Sequence, residues 1–113
     1  MIFATATDEN TLFVFDSIAE AIAYCEGIDV EDGSWIFWDE AGNALSAEFI
    51  MPNHHGRLTV GDGAYRLVQA PDQPTLAESL SSIFHIDGNP HFATLSAVGA
   101  HLATAAQVSR RGA

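Results

Sequence analysis

The chain has 113 residues, 48% of them apolar, which is enough to close one hydrophobic core without metal or disulfide support, and its charged fraction of 17% excludes an acidic disordered tail. A single cysteine, Cys25, excludes an internal disulfide framework and fits a reducing compartment, and no window approaches the run of about 18 apolar residues that a membrane span needs. The net charge of −11 is distributed unevenly: residues 1–50 hold eleven carboxylates and no Lys or Arg, whereas residues 51–113 hold four carboxylates and four Arg, so the excess lies wholly in the first half.

Along the chain, Ile2 to Thr7 and Thr11 to Phe15 are rich in β-formers and flank Asp8-Glu9-Asn10, which predicts a hairpin. A helix follows, opened by the Ser17/Glu20 capping-box pair, with Ile18, Ala21, Ile22 and Cys25 as its apolar stripe and Gly27 expected as a left-handed C-terminal cap with Ile28 packing back. Asp29 to Gly33 reads as an acidic connection. Trp35-Ile36-Phe37-Trp38 reads as a strand with bulky groups on both faces, turned by Ala41-Gly42-Asn43 into a partner strand at Leu45 to Ile50.

Pro52-Asn53-His54-His55-Gly56 interrupts the pattern, and a second hairpin is expected from Leu58–Val60 and Ala64–Gln69 around Gly61-Asp62-Gly63. After Pro71 to Pro74, Thr75 and Glu78 form a second capping box for a short helix through about Phe84, with Leu76, Leu80, Ile83 and Phe84 inward. Asp87-Gly88-Asn89-Pro90 is a turn, His91 to Gln107 a final helix with Phe92, Leu95, Gly99 and Leu102 on one face, and Ser109 to Ala113 a frayed tail. The resulting expectation is an α+β fold in one domain, residues 1–113, of order ββαββββαα, with an antiparallel sheet and helices mainly on one side.

Motifs for catalysis or cofactor binding are missing. The five histidines, His54, His55, His85, His91 and His101, have no HExxH or CxxC spacing, and His54-His55 would point apart on an extended chain. A calcium loop beginning at Asp29 fails because Ser34 stands where glycine is required and because Trp35 to Trp38 cannot wrap an ion. Cys25 lies on an apolar stripe away from any basic residue, where a thiol is inert. There is no GxSxG elbow, and Gly61-Asp62-Gly63 lacks the helix and lysine of a phosphate loop. Neither an enzyme nor a metal or cofactor is therefore expected.

Charge and aromatic placement point instead to a partner. An acidic surface repels nucleic acid and anionic lipid and attracts basic proteins. The expected contact patch is Trp35 or Trp38 inside an acidic rim of Asp29, Glu31, Asp32, Asp39 and Glu40.

The runs Phe13-Val-Phe-Asp-Ser-Ile-Ala-Glu-Ala, Glu26-Gly-Ile-Asp-Val-Glu-Asp-Gly-Ser-Trp and Phe37-Trp-Asp-Glu-Ala-Gly resemble small bacterial immunity proteins of contact-dependent growth inhibition and polymorphic toxin systems, over about residues 11–50. The resemblance implies a small, acidic, cytoplasmic protein without catalytic residues. Its partner would be the toxic C-terminal domain of a cognate effector, often a basic nuclease, with no direct nucleic-acid or membrane contact. Two other classes share the same features: a nucleic-acid-mimicking regulator of a DNA-binding protein, and a small-molecule-binding or enzymatic domain using His54, His55 and His85. No oligomeric state follows from the sequence.

Overall fold

The computed structural model describes residues 1–51, 54–55, 60–61 and 64–111, with side chains for 1–51 and 64–106. Strand β1 (Ile2–Ala6) pairs antiparallel on one side with β2 (Thr11–Phe15) and on the other with β3 (Trp35–Trp38). Helices α1 (Ile18–Tyr24) and α2 (Gly27–Glu31) lie between β2 and β3 in the chain. Strand β4 (Ala44–Met51) follows, then the short pair β5 (His54–His55) and β6 (Val60–Gly61), then β7 (Ala64–Gln69). The chain ends with α3 (Leu76–Ser79), a 3-10 turn at Leu80–Ser82, β8 (His85–Ile86) and α4 (Leu95–Arg111). The main sheet has six strands in the order β7-β4-β3-β1-β2-β8, all antiparallel except the β2–β8 edge. The expected α+β class is therefore the observed one.

All five residues of β1 are buried, so both faces of the sheet centre are covered. Phe3 belongs to a core with Leu12, Trp38, Leu76, Ile83, Val98 and Leu102, which places α3 and α4 on that face. Ile2 and Ala4 point the other way and pack with Ala21, Cys25, Phe37 and Leu45, and half-buried Val30 joins them, which places α1 and α2 there. The helices thus occupy both faces rather than mainly one. The reason lies in β1 and β3, where neither face is polar enough to be left to water.

Local chemistry explains most element boundaries. Ser17 Oγ accepts from Glu20 N, while the Glu20 carboxylate reaches Asp16 N, one residue before the cap. Thr75 and Glu78 make the full reciprocal box. Gly27 does not cap α1. Cys25 ends that helix in an extended conformation, Gly27 begins α2, and the glycine that turns left-handed in this stretch is Gly33, after α2, at φ +80°. Asp29 to Glu31, expected as loop, is helical because Val30 has a core to enter.

Phe84 is outside the core, at 67% exposure, because the helix stops at Ser79 and the 3-10 turn at Ser82. The next residues are extended, so Ile83 turns inward and Phe84 outward, while Phe84 N and His85 N both donate to Asn10 O. Helix α4 starts at Leu95 rather than His91. Asn89 clamps the preceding turn, its Oδ1 accepting from His91 N and Phe92 N, and Thr94 Oγ1 then caps Ala97 N. The helix continues to Arg111, through part of the expected tail.

Strand β7 pairs along β4, not with the segment before it; Val60–Gly61 pairs with His54–His55 instead. The expected chain breakers Pro52, Asn53 and Gly56, the strand residues Leu58 and Thr59, the turn Asp62-Gly63 and the terminal Gly112 and Ala113 lie outside the described residues.

Two positions yield direct tests of this packing. Gly42 sits at φ +86° in the β3–β4 turn, and an added Cβ would stand 2.7 Å from Leu102 Cδ2. We expect Gly42→Ala to lower stability by about 2 kcal/mol in urea unfolding, from the left-handed backbone and the overpacked contact together. Thr5 is 6% exposed, and among the described residues nothing pairs with its hydroxyl. Thr5→Val replaces that hydroxyl with a methyl of similar shape and should raise stability by about 1 kcal/mol in the same measurement.

Candidate functional site

The tip of the β1–β2 hairpin is tied to the α2–β3 connection. Thr7 N donates to Ser34 O at 3.0 Å, and Thr7 Oγ1 donates to Gly33 O at 3.0 Å. Asn10 completes the tip with a left-handed φ of 52°. These contacts bring Asp8 and Glu9 beside Asp29 on α2. The three carboxylates rim an open cleft of about 220 Å³ whose apolar walls are Phe13, Tyr24 and Trp35.

The rings come from three elements and lean on one another. Phe13 and Trp35 meet edge to face with centroids 5.2 Å apart, Tyr24 and Trp35 do so at 5.8 Å, and Phe13 and Tyr24 are tilted at 5.6 Å. The register explains the convergence: Ala4 is the partner of both Phe13 and Phe37, and Trp35 follows two residues before Phe37 on the same face of β3. Small Ala4 and Ala6 leave room between the larger side chains. Tyr24 is 57% exposed, so this wall is open to solvent.

The seven residues expected to form the patch divide between the two ends of β3. Asp29, Glu31, Asp32 and Trp35 lie at its start, Trp38 is its last residue, and Asp39 and Glu40 lie beyond its end, about 13 Å away at strand rise. Asp39 is committed to its own turn: Oδ1 accepts from Ala41 N at 3.0 Å and Asn43 N at 2.9 Å, and Oδ2 accepts from Gln69 Nε2 at 3.0 Å. The Glu40 carbonyl is hydrogen-bonded to His101 Nε2 at 2.7 Å. Trp38 is not an available anchor. It is 2% exposed, and its Nε1 donates to Pro74 O at 3.0 Å, so burial and pairing of its one polar group fix it in the core. Trp35 alone of the two tryptophans reaches the surface cleft.

Sequence reasoning missed Asp8, Glu9, Phe13 and Tyr24 at this site. Two signals were present: Phe13 and Phe15 alternate on one face of β2, and Tyr24 follows Ala21 by the three residues that keep a helical face. The contact between the hairpin tip and Ser34 is long-range and has no local signature.

Trp35 also borders a second opening. Strands β3 and β4 pair only at Phe37–Leu45 and Trp38–Ala44, while β4 continues along β7. The strands therefore fork, and an open cleft of about 300 Å³ lies between Trp35, Ile36 and Phe37 on one side and Leu45, Ala47 and Phe49 on the other, with Glu31 at its edge.

The histidines do not form a comparable site. His91 is paired with Asp16, His101 packs against Phe92 and Phe3, and His85 is exposed at the sheet edge. The side chains of His54 and His55 lie outside the described residues. Among the described residues no group of three His, Cys, Asp or Glu could hold a metal ion. In the same set, no helix is long and apolar enough to cross a membrane.

No protein-family model matches this chain, and no curated protein or solved structure matches it significantly.

Cys25, the residue after Tyr24, is fully buried, and its carbonyl accepts from Tyr65 Oη at 2.6 Å, fastening the end of α1 to β7. Burial, with Asp29 adding to it, pushes the thiol from an ordinary 9.0 up to about 12. The folded state therefore keeps the proton while the unfolded chain releases it. The associated stability is intact below pH 9 and is lost as pH rises toward 12, with a slope of up to about 1.4 kcal/mol per pH unit. We expect urea midpoints to fall more steeply between pH 9 and 11 in the wild type than in Cys25→Ala, and the native thiol to resist alkylation until the protein unfolds.

Proposed function

We propose that this chain is a non-enzymatic binding protein whose acidic half docks a basic protein partner. The observation that carries this reading is the placement of Asp8, Glu9 and Asp29. All three line one cleft with the rings of Phe13, Tyr24 and Trp35, and they have no cationic partner among the described residues. No Lys or Arg occurs anywhere in residues 1–50 to neutralise them. Arg66, the one arginine whose side chain is described, is already paired with Glu48 across β4 and β7. Charge left unpaired around an aromatic wall raises encounter rates with basic surfaces and supplies an anchor once contact is made.

The resemblance carried by residues 11–50 supports a more specific form of this reading. The chain is then a cytoplasmic immunity protein, and its partner is the cognate toxin domain of a bacterial polymorphic toxin system. A nuclease suits the role because its phosphate-binding cleft must be basic. The acidic residues that meet the partner are Asp8, Glu9, Asp29 and Asp32, with Trp35 and Tyr24 between them. A nucleic-acid mimic would need carboxylates spaced along one face, an arrangement that the division between the two ends of β3 does not favour.

The test is to search the genes beside this one for a toxin-like domain, co-express it with this chain, and follow association of the purified pair by stopped flow. The wild type should protect growth. The triple variant Asp8→Lys, Asp29→Lys, Asp32→Lys should slow association by about tenfold or more at low salt and flatten its salt dependence. Association unchanged by the triple reversal, in a variant with native circular dichroism, rules out the acidic surface as the docking site.

A further inference from the structure

The cleft at the hairpin tip joins acidic residues to an aromatic wall, and the geometry points to an arginine of the partner protein as its occupant. This inference deepens the proposed binding role and rests on it for the owner of the arginine. Three rings from β2, α1 and β3, packed on one another at centroid separations of 5.2 to 5.8 Å, form a single aromatic wall, and Asp8, Glu9 and Asp29 line the same cleft. Aromatic faces attract cations, and carboxylates beside them strengthen the attraction where water is thinned. A cation is therefore the ligand charge that the lining selects.

The chemistry of the lining narrows the cation further. A metal ion does not fit, because no three ligating groups converge here among the described residues. A lysine ammonium is compact and strongly hydrated, and it gains little from flat apolar walls. A guanidinium is planar and weakly hydrated. It can lie against a ring while its N–H groups point sideways to carboxylates, and an arginine stem can cover apolar surface behind it. The cleft of about 220 Å³ is open rather than enclosed, as entry of a side chain from another protein requires. Asp8, Glu9 and Asp29 make no side-chain hydrogen bond or ion pair among the described residues, unlike Asp39 and Glu48, so binding breaks no internal bond of theirs.

The probe is Nα-acetyl-arginine amide, titrated into the full-length protein and followed by two-dimensional NMR. Nα-acetyl-citrulline amide, equal in shape but uncharged, is the control. The arginine probe should bind saturably with a Kd on the order of 1–10 mM. It should shift the Trp35 indole and the backbone signals of Asp8, Glu9 and Tyr24, and leave Trp38 unmoved. The citrulline probe should bind at least roughly fivefold more weakly. Tyr24→Ser, at an exposed ring, and Asp29→Asn, which keeps the side-chain shape, should each weaken the arginine probe roughly fivefold, the scale of one such contact.

Equal binding of the two probes, shifts located elsewhere, or affinity unchanged in both variants would overturn the assignment. A lysine probe that binds as tightly as arginine would also overturn it. The two proposals fail separately. If the cleft ignores arginine while the basic partner still binds with salt-dependent rates, the arginine assignment falls and the binding role stands. If the cleft takes arginine but no basic partner associates, the binding role falls.

Discussion

The double burial of β1 is the constraint on which the rest of the structure depends. A strand whose five residues are all inside cannot be served by one layer of helices. Phe3 requires a covering on one side, and Ile2 and Ala4 require another. The chain answers with α1 and α2 on one face and α3 and α4 on the other. Once both faces are covered, charged side chains have little place over the sheet centre, because a buried carboxylate without a partner is too costly. The surplus carboxylates therefore stand at strand ends, in loops and at outward positions of α1, α2 and β4. That displacement puts Asp8 and Glu9 at one end of β1 and Asp39 and Glu40 at the opposite end of the sheet.

The two tryptophans of β3 show the same constraint acting on single residues. Strand periodicity sends them to opposite faces, and each face then decides the outcome. On the face of α3 and α4, Trp38 is closed over by the 71–76 segment, with Pro74 supplying the acceptor for its indole N–H. On the other face, Trp35 meets a shorter covering, since α2 spans only Gly27–Glu31 and Trp35 and Ile36 precede the stretch of β3 that pairs with β4. The exposed edge of that ring is a consequence of where the helical layer stops. Tyr24, at the last turn of α1, is exposed for the same reason.

Elements whose signals are local were legible in the sequence. Ser17 with Glu20, and Thr75 with Glu78, announce helix starts by side-chain chemistry that works within four residues. The β1–β2 hairpin and the alternation in Trp35 to Trp38 are equally local. Features decided by distant contacts were not legible. Helix α2 is too short and acidic to show a helical stripe and exists because Val30 finds the core. Strand β8 is only two residues long and is defined by its pairing with β2, 74 positions earlier in the chain (Thr11 with His85, Leu12 with Ile86). The candidate cleft belongs to this second group. Trp35 and Asp29 could be nominated from their neighbourhood, but Asp8 and Phe13 join them only through pairing across β1.

Acidity and aromaticity do separate physical work in the proposed binding role. Unpaired charge acts over roughly a Debye length, about 8 Å at physiological salt, and so governs how often a basic partner arrives in a useful orientation. The rings act only at contact, and so govern how long the partner stays. Carboxylates distributed over both ends of β3 can all contribute to the first effect, including Glu40, which is far from the cleft. Only residues lining the cleft can contribute to the second. Neutralising Glu40 and truncating Tyr24 should therefore move different rate constants, the first altering association and its salt dependence, the second altering dissociation. A surface whose acidity served solubility alone would show no such separation, because no part of it would be an anchor.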